Sequence, residues 1–261
     1  MKLEDVKPEE RVFALFKGDP KTGKSIAAHS FFFGEPVYTF DLDARMESVK
    51  DYYQRVIGKL PNVTFDRFST FFEIHAKLEE LRANCPYKLI IMDSLTSLAM
   101  KALDTMLETR TTTEKSKTKD RGGIVLTVVE DFGGEASAIR MAMNLLLAIS
   151  IAHNASVIVT SHVIDPQPGA YRPMRTLLTG GKKIAAEIPI HFNECYHFFV
   201  ETKGGLQVGV DDIERRYIAV TRSIGSDWAS TALDIPDRID FTNGLLHAKI
   251  LESLKREKVK L

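Results

Sequence analysis

Cysteine is scarce in this chain: Cys85 and Cys195 are the only two among 261 residues. They have no metal-ligand spacing, which excludes a disulfide framework and a cysteine zinc site and points to reduced thiols in a cytosolic protein. Net charge is absent too, since 35 Lys and Arg balance 35 Asp and Glu. No global field draws the chain to nucleic acid, and any basic surface must be local. No run of 18 apolar residues is found, so no transmembrane helix and no membrane partner are expected. The charged start, Met1-Lys2-Leu3-Glu4-Asp5, has no apolar signal core. What is there, 44% hydrophobic residues, suffices for a large core and predicts one α/β domain over residues 1–261.

Strand-like and helix-like stretches alternate through the first 160 residues. Apolar runs at 12–16, 36–40, 63–65, 89–92 and 157–160 read as strands, and 25–31, 44–56, 71–83, 95–107 and 136–153 read as helices. This alternation predicts a mostly parallel central sheet flanked by helices. The character changes after His162. Residues 163–183 are rich in Pro and Gly and read as a loop. Residues 196–201, 206–210 and 216–221 then suggest successive antiparallel strands toward the C-terminus, and 245–258 a last helix with a basic end. The polar, Thr/Lys-rich stretch at 109–122 is the one biased segment and reads as mobile.

Gly18-Asp19-Pro20-Lys21-Thr22-Gly23-Lys24-Ser25 is G-x-x-x-x-G-K-S, the phosphate-binding P-loop. The two glycines allow a tight turn whose N–H groups face a polyphosphate. Lys24 reaches the β- and γ-phosphates, and the Ser25 hydroxyl ligates Mg²⁺. The helix that begins near Gly23 and continues through Ile26 adds its positive end. An apolar strand before the motif and a helix after it supply the context the motif requires.

Asp93 ends the 89–92 strand, where a carboxylate holds Mg²⁺ through water. The residue after it is Ser94, so the group that orients the attacking water must come from elsewhere. Asp41 and Asp43 lie just past the second strand, and Glu47 one helical turn on, at the edge where open α/β sheets place ligands. Ser161-His162 ends the 157–160 strand, where a polar side chain can sense the γ-phosphate and move the loop behind it.

With these residues in place, the chain resembles the RecA-like recombination ATPases, in particular the compact phage recombination and single-strand-annealing type. The resemblance is carried by residues 18–25, Phe40-Asp41-Leu42-Asp43, Leu89-Ile90-Ile91-Met92-Asp93-Ser94 and Val157-Ile158-Val159-Thr160-Ser161-His162. It covers about residues 10–222, with an extension at 223–261. It implies a RecA-like P-loop core that binds ATP and Mg²⁺, with Asp43 as the catalytic carboxylate, where RecA itself has Glu. Ser161-His162 departs from RecA's Asn-Gln and is similar to the phage and KaiC-like branches. Two DNA-facing loops are implied: one bears Arg110, Lys115, Lys117, Lys119 and Arg121, and the other Tyr171, Arg172 and Arg175. Thr179-Gly180-Gly181-Lys182-Lys183 resembles the end of RecA's second loop, which implies that Lys182 or Lys183 acts on a neighbour's nucleotide. Tyr52 or Tyr53 is implied to stack on adenine.

The expectation is an Mg²⁺-dependent ATPase, catalytic through Lys24, Asp43, Asp93 and His162. It would form a ring or filament on single-stranded DNA in recombination, annealing or repair, in the cytoplasm or, if phage-encoded, that of the host. A KaiC-like signalling or scaffold ATPase without DNA is the second class. A helicase or packaging motor is the third, and the short flanks of the core speak against its accessory domains.

Overall fold

In the computed structural model, which describes residues 11–113, 127, 129–165, 175–179, 182–203, 214–223, 225 and 228–258, the P-loop motif begins on a fully buried strand. That strand is β1 (Phe13–Gly18). It lies between β5 (Ser156–Ser161) and β8 (Glu194–Lys203) and runs parallel to both. β4 (Leu89–Asp93) follows beside β5, then β2 (Val37–Asp41), then β3 (Val63–Asp66) at the edge, all parallel. On the other side β9 (Glu214–Val220) is antiparallel to β8, and β10 (Arg238–Asp240) antiparallel to β9. Among the described residues the sheet order is β10-β9-β8-β1-β5-β4-β2-β3. The fold is thus α/β, with a mostly parallel sheet and antiparallel strands toward the C-terminus.

The strands are apolar on both faces because both are covered. Phe13, Leu15, Tyr38, Phe40, Ile90, Met92, Val157 and Val159 pack into one core, against α3 (Phe71–Ala83), α4 (Leu95–Thr113) and α5 (Val129–His153). Their strand neighbours Ala14, Phe16, Leu89, Ile91 and Ile158 point the other way, toward α1 (Lys24–His29) and α7 (Leu246–Lys258). This two-sided burial is what a parallel sheet imposes. α3 presents Phe71, Ile74, Leu78 and Leu81 at helical spacing. Its start is fixed by Thr70, whose hydroxyl accepts the Glu73 N–H while the Glu73 carboxylate accepts that of Thr70.

Several boundaries differ from the sequence reading. α2 (Met46–Tyr52) gives way to a wider π-turn over Tyr53–Ile57. α5 begins at Val129 rather than 136. Its segment Glu130–His153 is long and apolar enough, by length and composition, to cross a membrane, contrary to the expectation that no such stretch exists. Ala138, Ile139, Ala142 and Leu146 on it are core residues. The expected loop at 163–183 carries a short antiparallel pair, β6 (Val163–Ile164) and β7 (Thr176–Leu177), and leads into α6 (Lys182–Glu187). β8 pairs directly with β9, while the strand expected at 206–210 lies outside the described residues. β10 escaped notice because Arg-Ile-Asp has only one apolar residue.

Candidate active site

The carboxyl ends of β1, β2, β4 and β5 meet at a cleft of about 340 Å³. Gly18 closes β1 where a Cβ would come 2.2 Å from the Phe198 carbonyl oxygen of β8, so no larger residue fits. Gly23 caps α1 at φ 85, beside the rings of Tyr217 and Phe241. Between them the loop closes on itself. The Thr22 hydroxyl donates to the Asp19 carbonyl at 2.8 Å. The Lys24 ammonium donates to the carbonyls of Gly18 at 2.9 Å and Asp19 at 2.7 Å. Burial lowers the Lys24 pKa to about 8, against the pull of Asp93, Asp19 and Asp43. A triphosphate entering the cleft would offer this ammonium stronger, charged acceptors. Lys21 and Ile26 line the cleft as well, while Pro20 is exposed.

Asp93 is 3% exposed. Burial raises its pKa, and hydrogen bonds from the Ser25 and Thr160 hydroxyls oppose that rise. A carboxylate this deep is costly when ionised without a cation. The adjoining Ser25 hydroxyl and Asp93 carboxylate are hard oxygen donors, the set that suits Mg²⁺ completed by phosphate and water oxygens. Thr160 was not singled out from sequence; its place one residue before Ser161 on β5 was the available signal.

The three carboxylates left open by sequence separate clearly. Asp41 turns away, accepting the Arg45 N–H at 2.7 Å and Arg67 Nε at 2.9 Å. Glu47 is exposed and takes the other arm of Arg67 at 2.6 Å. Asp43 faces the cleft. It accepts hydrogen bonds from the hydroxyls of Ser94, at 3.0 Å, and Ser97, and stands 3.6 Å from His162 Nε2. Burial pushes its pKa up, but the hydrogen bonds from His162, Ser97 and Ser94 prevail and hold it below the usual value. The turn that presents Asp43 is pinned by two N–H groups, of Leu42 and Asp43, donating to the Asp93 carbonyl at 2.8 and 3.2 Å.

His162 joins the two halves of the cleft. Its Nδ1 lies 3.5 Å from the Lys24 ammonium, its N–H donates to the Thr96 hydroxyl at 3.2 Å, and its carbonyl accepts the Leu178 N–H at 2.9 Å. The segment after β5 is therefore tied back to the residue that touches Lys24 and Asp43.

Other expected residues fall elsewhere. Tyr52 does not line the cleft; its hydroxyl points toward the Thr242 carbonyl at 3.5 Å. Tyr53 is fully buried against Phe33 and donates to the Ile26 carbonyl. Among the described residues the phenol ring that lines the cleft is that of Tyr217 on β9, a residue on the expected 216–221 strand for which no role was foreseen. Arg175 pairs with Asp19 of the P-loop at 3.1 Å and with Asp165 at 2.8 Å. Lys183 is exposed, 4.0 Å from Glu187. Lys115, Lys117, Lys119, Arg121, Tyr171 and Arg172, and the side chains of Arg110 and Lys182, lie outside the described residues.

No protein-family model matches this sequence, and no curated protein matches it. Solved structures do match in fold. One is the crystal structure of the RadB recombinase, with a TM-score of 0.50 and 15% sequence identity over 88% of this chain and 85% of that one. The strand order, the glycine-bounded loop after β1 and this likeness together identify the fold as that of a RecA-like core.

Proposed function

We propose that the chain is an Mg²⁺-dependent ATPase that binds single-stranded DNA and acts in recombination, annealing or repair as a ring or filament. The observation that carries the reading is the convergence of Lys24, Ser25, Asp93, Asp43 and His162 on one cleft at the carboxyl edge of the sheet. The P-loop N–H groups and Lys24 bind the β- and γ-phosphates. Ser25 and Asp93 are the residues that would hold Mg²⁺, which when bound neutralises charge on the β- and γ-oxygens. Asp43, kept ionised by its hydroxyl donors, orients the attacking water and accepts its proton. His162 contacts the Lys24–Asp43 pair and passes the state of the γ-phosphate to the segment after β5. Residues 1–261 act as one cytoplasmic ATPase domain without membrane attachment. The basic residues at 110–121 and 172–175 track DNA phosphates without reading sequence, and Lys182 or Lys183 reaches a neighbouring subunit's nucleotide.

The test is the ATPase rate with and without single-stranded DNA, for wild type and Lys24→Ala. Stimulation in wild type and no activity in Lys24→Ala is the expected pair of results. Hydrolysis with neither DNA binding nor stimulation removes the recombination reading and leaves a KaiC-like ATPase. An unchanged rate in Lys24→Ala removes the P-loop assignment.

A further inference from the structure

We infer that Arg45 is a second cation of the triphosphate site, gripping the polyphosphate across the cleft from Lys24; this rests on the nucleotide-binding reading above. Arg45 lines the same cleft as Lys24, Ser25, Asp43 and Asp93. Its root is fixed: it caps α2, its N–H donates to the Asp41 carboxylate at 2.7 Å, and the preceding Ala44 is held at φ 53. Its head is uncommitted. Among the described residues no ion pair or side-chain hydrogen bond engages the exposed guanidinium. The nearest acids in sequence are spent elsewhere, Asp41 and Glu47 on Arg67 and Asp43 on Ser94, Ser97 and His162.

Arg45 and Lys24 line the same cleft, so both of their charges face one concave space. Two cations turned toward one concave space repel each other until an anion lies between them. The planar fork of a guanidinium matches phosphate oxygens better than it matches water or a lone carbonyl. The cation and the water-orienting carboxylate come from a single turn, residues 41–45, so one pinned turn positions both.

The experiment displaces a fluorescent ATP analogue, with Mg²⁺ present, from the full chain, using unlabelled ATP or inorganic tripolyphosphate, which has no base or ribose. Arg45→Ala and Arg45→Gln should weaken binding of both competitors on the order of ten- to a hundredfold, the worth of one charged hydrogen-bonded contact. Arg45→Lys should restore part of it. Arg55→Ala, which removes an exposed arginine outside the cleft, should bind as wild type. Wild-type affinity for both competitors in folded Arg45→Ala and Arg45→Gln overturns the inference. So does a loss for ATP with none for tripolyphosphate, which places the contact on base or ribose. In either case a Lys24→Ala variant that has lost tripolyphosphate binding leaves the nucleotide reading standing; one that has kept it removes that reading itself.

Discussion

Two turns at the same sheet edge hold the candidate chemistry, and they are built in opposite ways. The P-loop is specified largely from within. Gly18 sits where a Cβ would collide, Gly23 holds a left-handed φ of 85, and Thr22 and Lys24 bond to carbonyls of their own loop. The turn at 41–45 is specified from outside. Its N–H groups reach the Asp93 carbonyl, Asp41 is clamped by Arg67, and Asp43 is held by Ser94 and Ser97. A phosphate cradle can be encoded in eight consecutive residues because its ligand is the backbone itself. A water-orienting carboxylate is defined by what its neighbours leave free.

The largest effect should come from breaking the first turn. Lys24→Ala removes the cation proposed to grip the β- and γ-phosphates, and ATP-analogue affinity should fall by a hundredfold or more, about 3 kcal/mol, as read by fluorescence titration. The depressed pKa adds a pH signature. In the ligand-free protein Lys24 loses its proton as pH rises through about 8, so wild-type affinity should decline above that pH. The folded pKa lies below the unfolded value of 10.5, so over that interval the unfolded chain holds the proton more tightly. The Lys24 contribution to ligand-free stability therefore improves from about pH 8 to 10.5 while binding worsens. A Lys24→Met variant, which has no such proton, should show neither trend.

Next comes the second turn. Asp43→Asn keeps the shape and removes the proposed proton acceptor. Turnover should drop about a hundred- to a thousandfold while nucleotide affinity changes less than about threefold. Asp41→Asn should do the reverse. It weakens the Arg67 clamp on a buried group, lowers the midpoint of thermal unfolding, and leaves turnover per folded molecule within about tenfold. Equal catalytic losses in the two variants would erase the distinction drawn between these carboxylates.

The same contrast explains what the sequence made legible. The P-loop, the five parallel strands of the first 160 residues and the 71–83 helix are local patterns. Each was readable from spacing or apolar runs. Asp93 and His162 followed from strand ends. The separation of Asp43 from Asp41 and Glu47 was not readable from residue types, because it depends on Arg67, at least 20 residues away, and on Ser97, past another strand. β10 has no apolar run of its own and exists because β9 offers it an edge. Arg175 was expected on a DNA-facing loop; its ion pairs with Asp19 and Asp165, which form only once the chain folds back, could not be read from its neighbours in sequence.

Tyr217 and Tyr52 give a smaller test of that long-range element. A tyrosine in the helix after Asp43 suits adenine by resemblance, but the ring that reaches the cleft arrives from β9. Tyr217→Ala should weaken an adenine nucleotide by about tenfold, in line with 1–3 kcal/mol for one base–aromatic stack, and should leave tripolyphosphate affinity unchanged. Tyr52→Ala should alter nucleotide affinity by less than about twofold. The reverse ranking in a calorimetric titration would return the base to the α2 side.

The smallest effect separates one clamp from the whole turn. Arg67 bridges Asp41 and Glu47, yet its side chain is 47% exposed and Glu47 is 70% exposed, so solvent screens much of that attraction. The turn has other holds. The Asp93 carbonyl still takes two N–H groups, and Asp41 still takes the N–H of Arg45. Arg67→Ala should therefore lower the midpoint of thermal unfolding only slightly and cost about threefold in turnover, with nucleotide affinity unchanged. A loss as deep as that of Asp43→Asn would mean that the backbone bonds cannot hold Asp43 by themselves. The geometry of the water-orienting group would then hang on one half-exposed ion pair, and high salt alone should reproduce the defect in wild type. Measuring turnover of wild type and Arg67→Ala across a salt series settles which description of the turn is right.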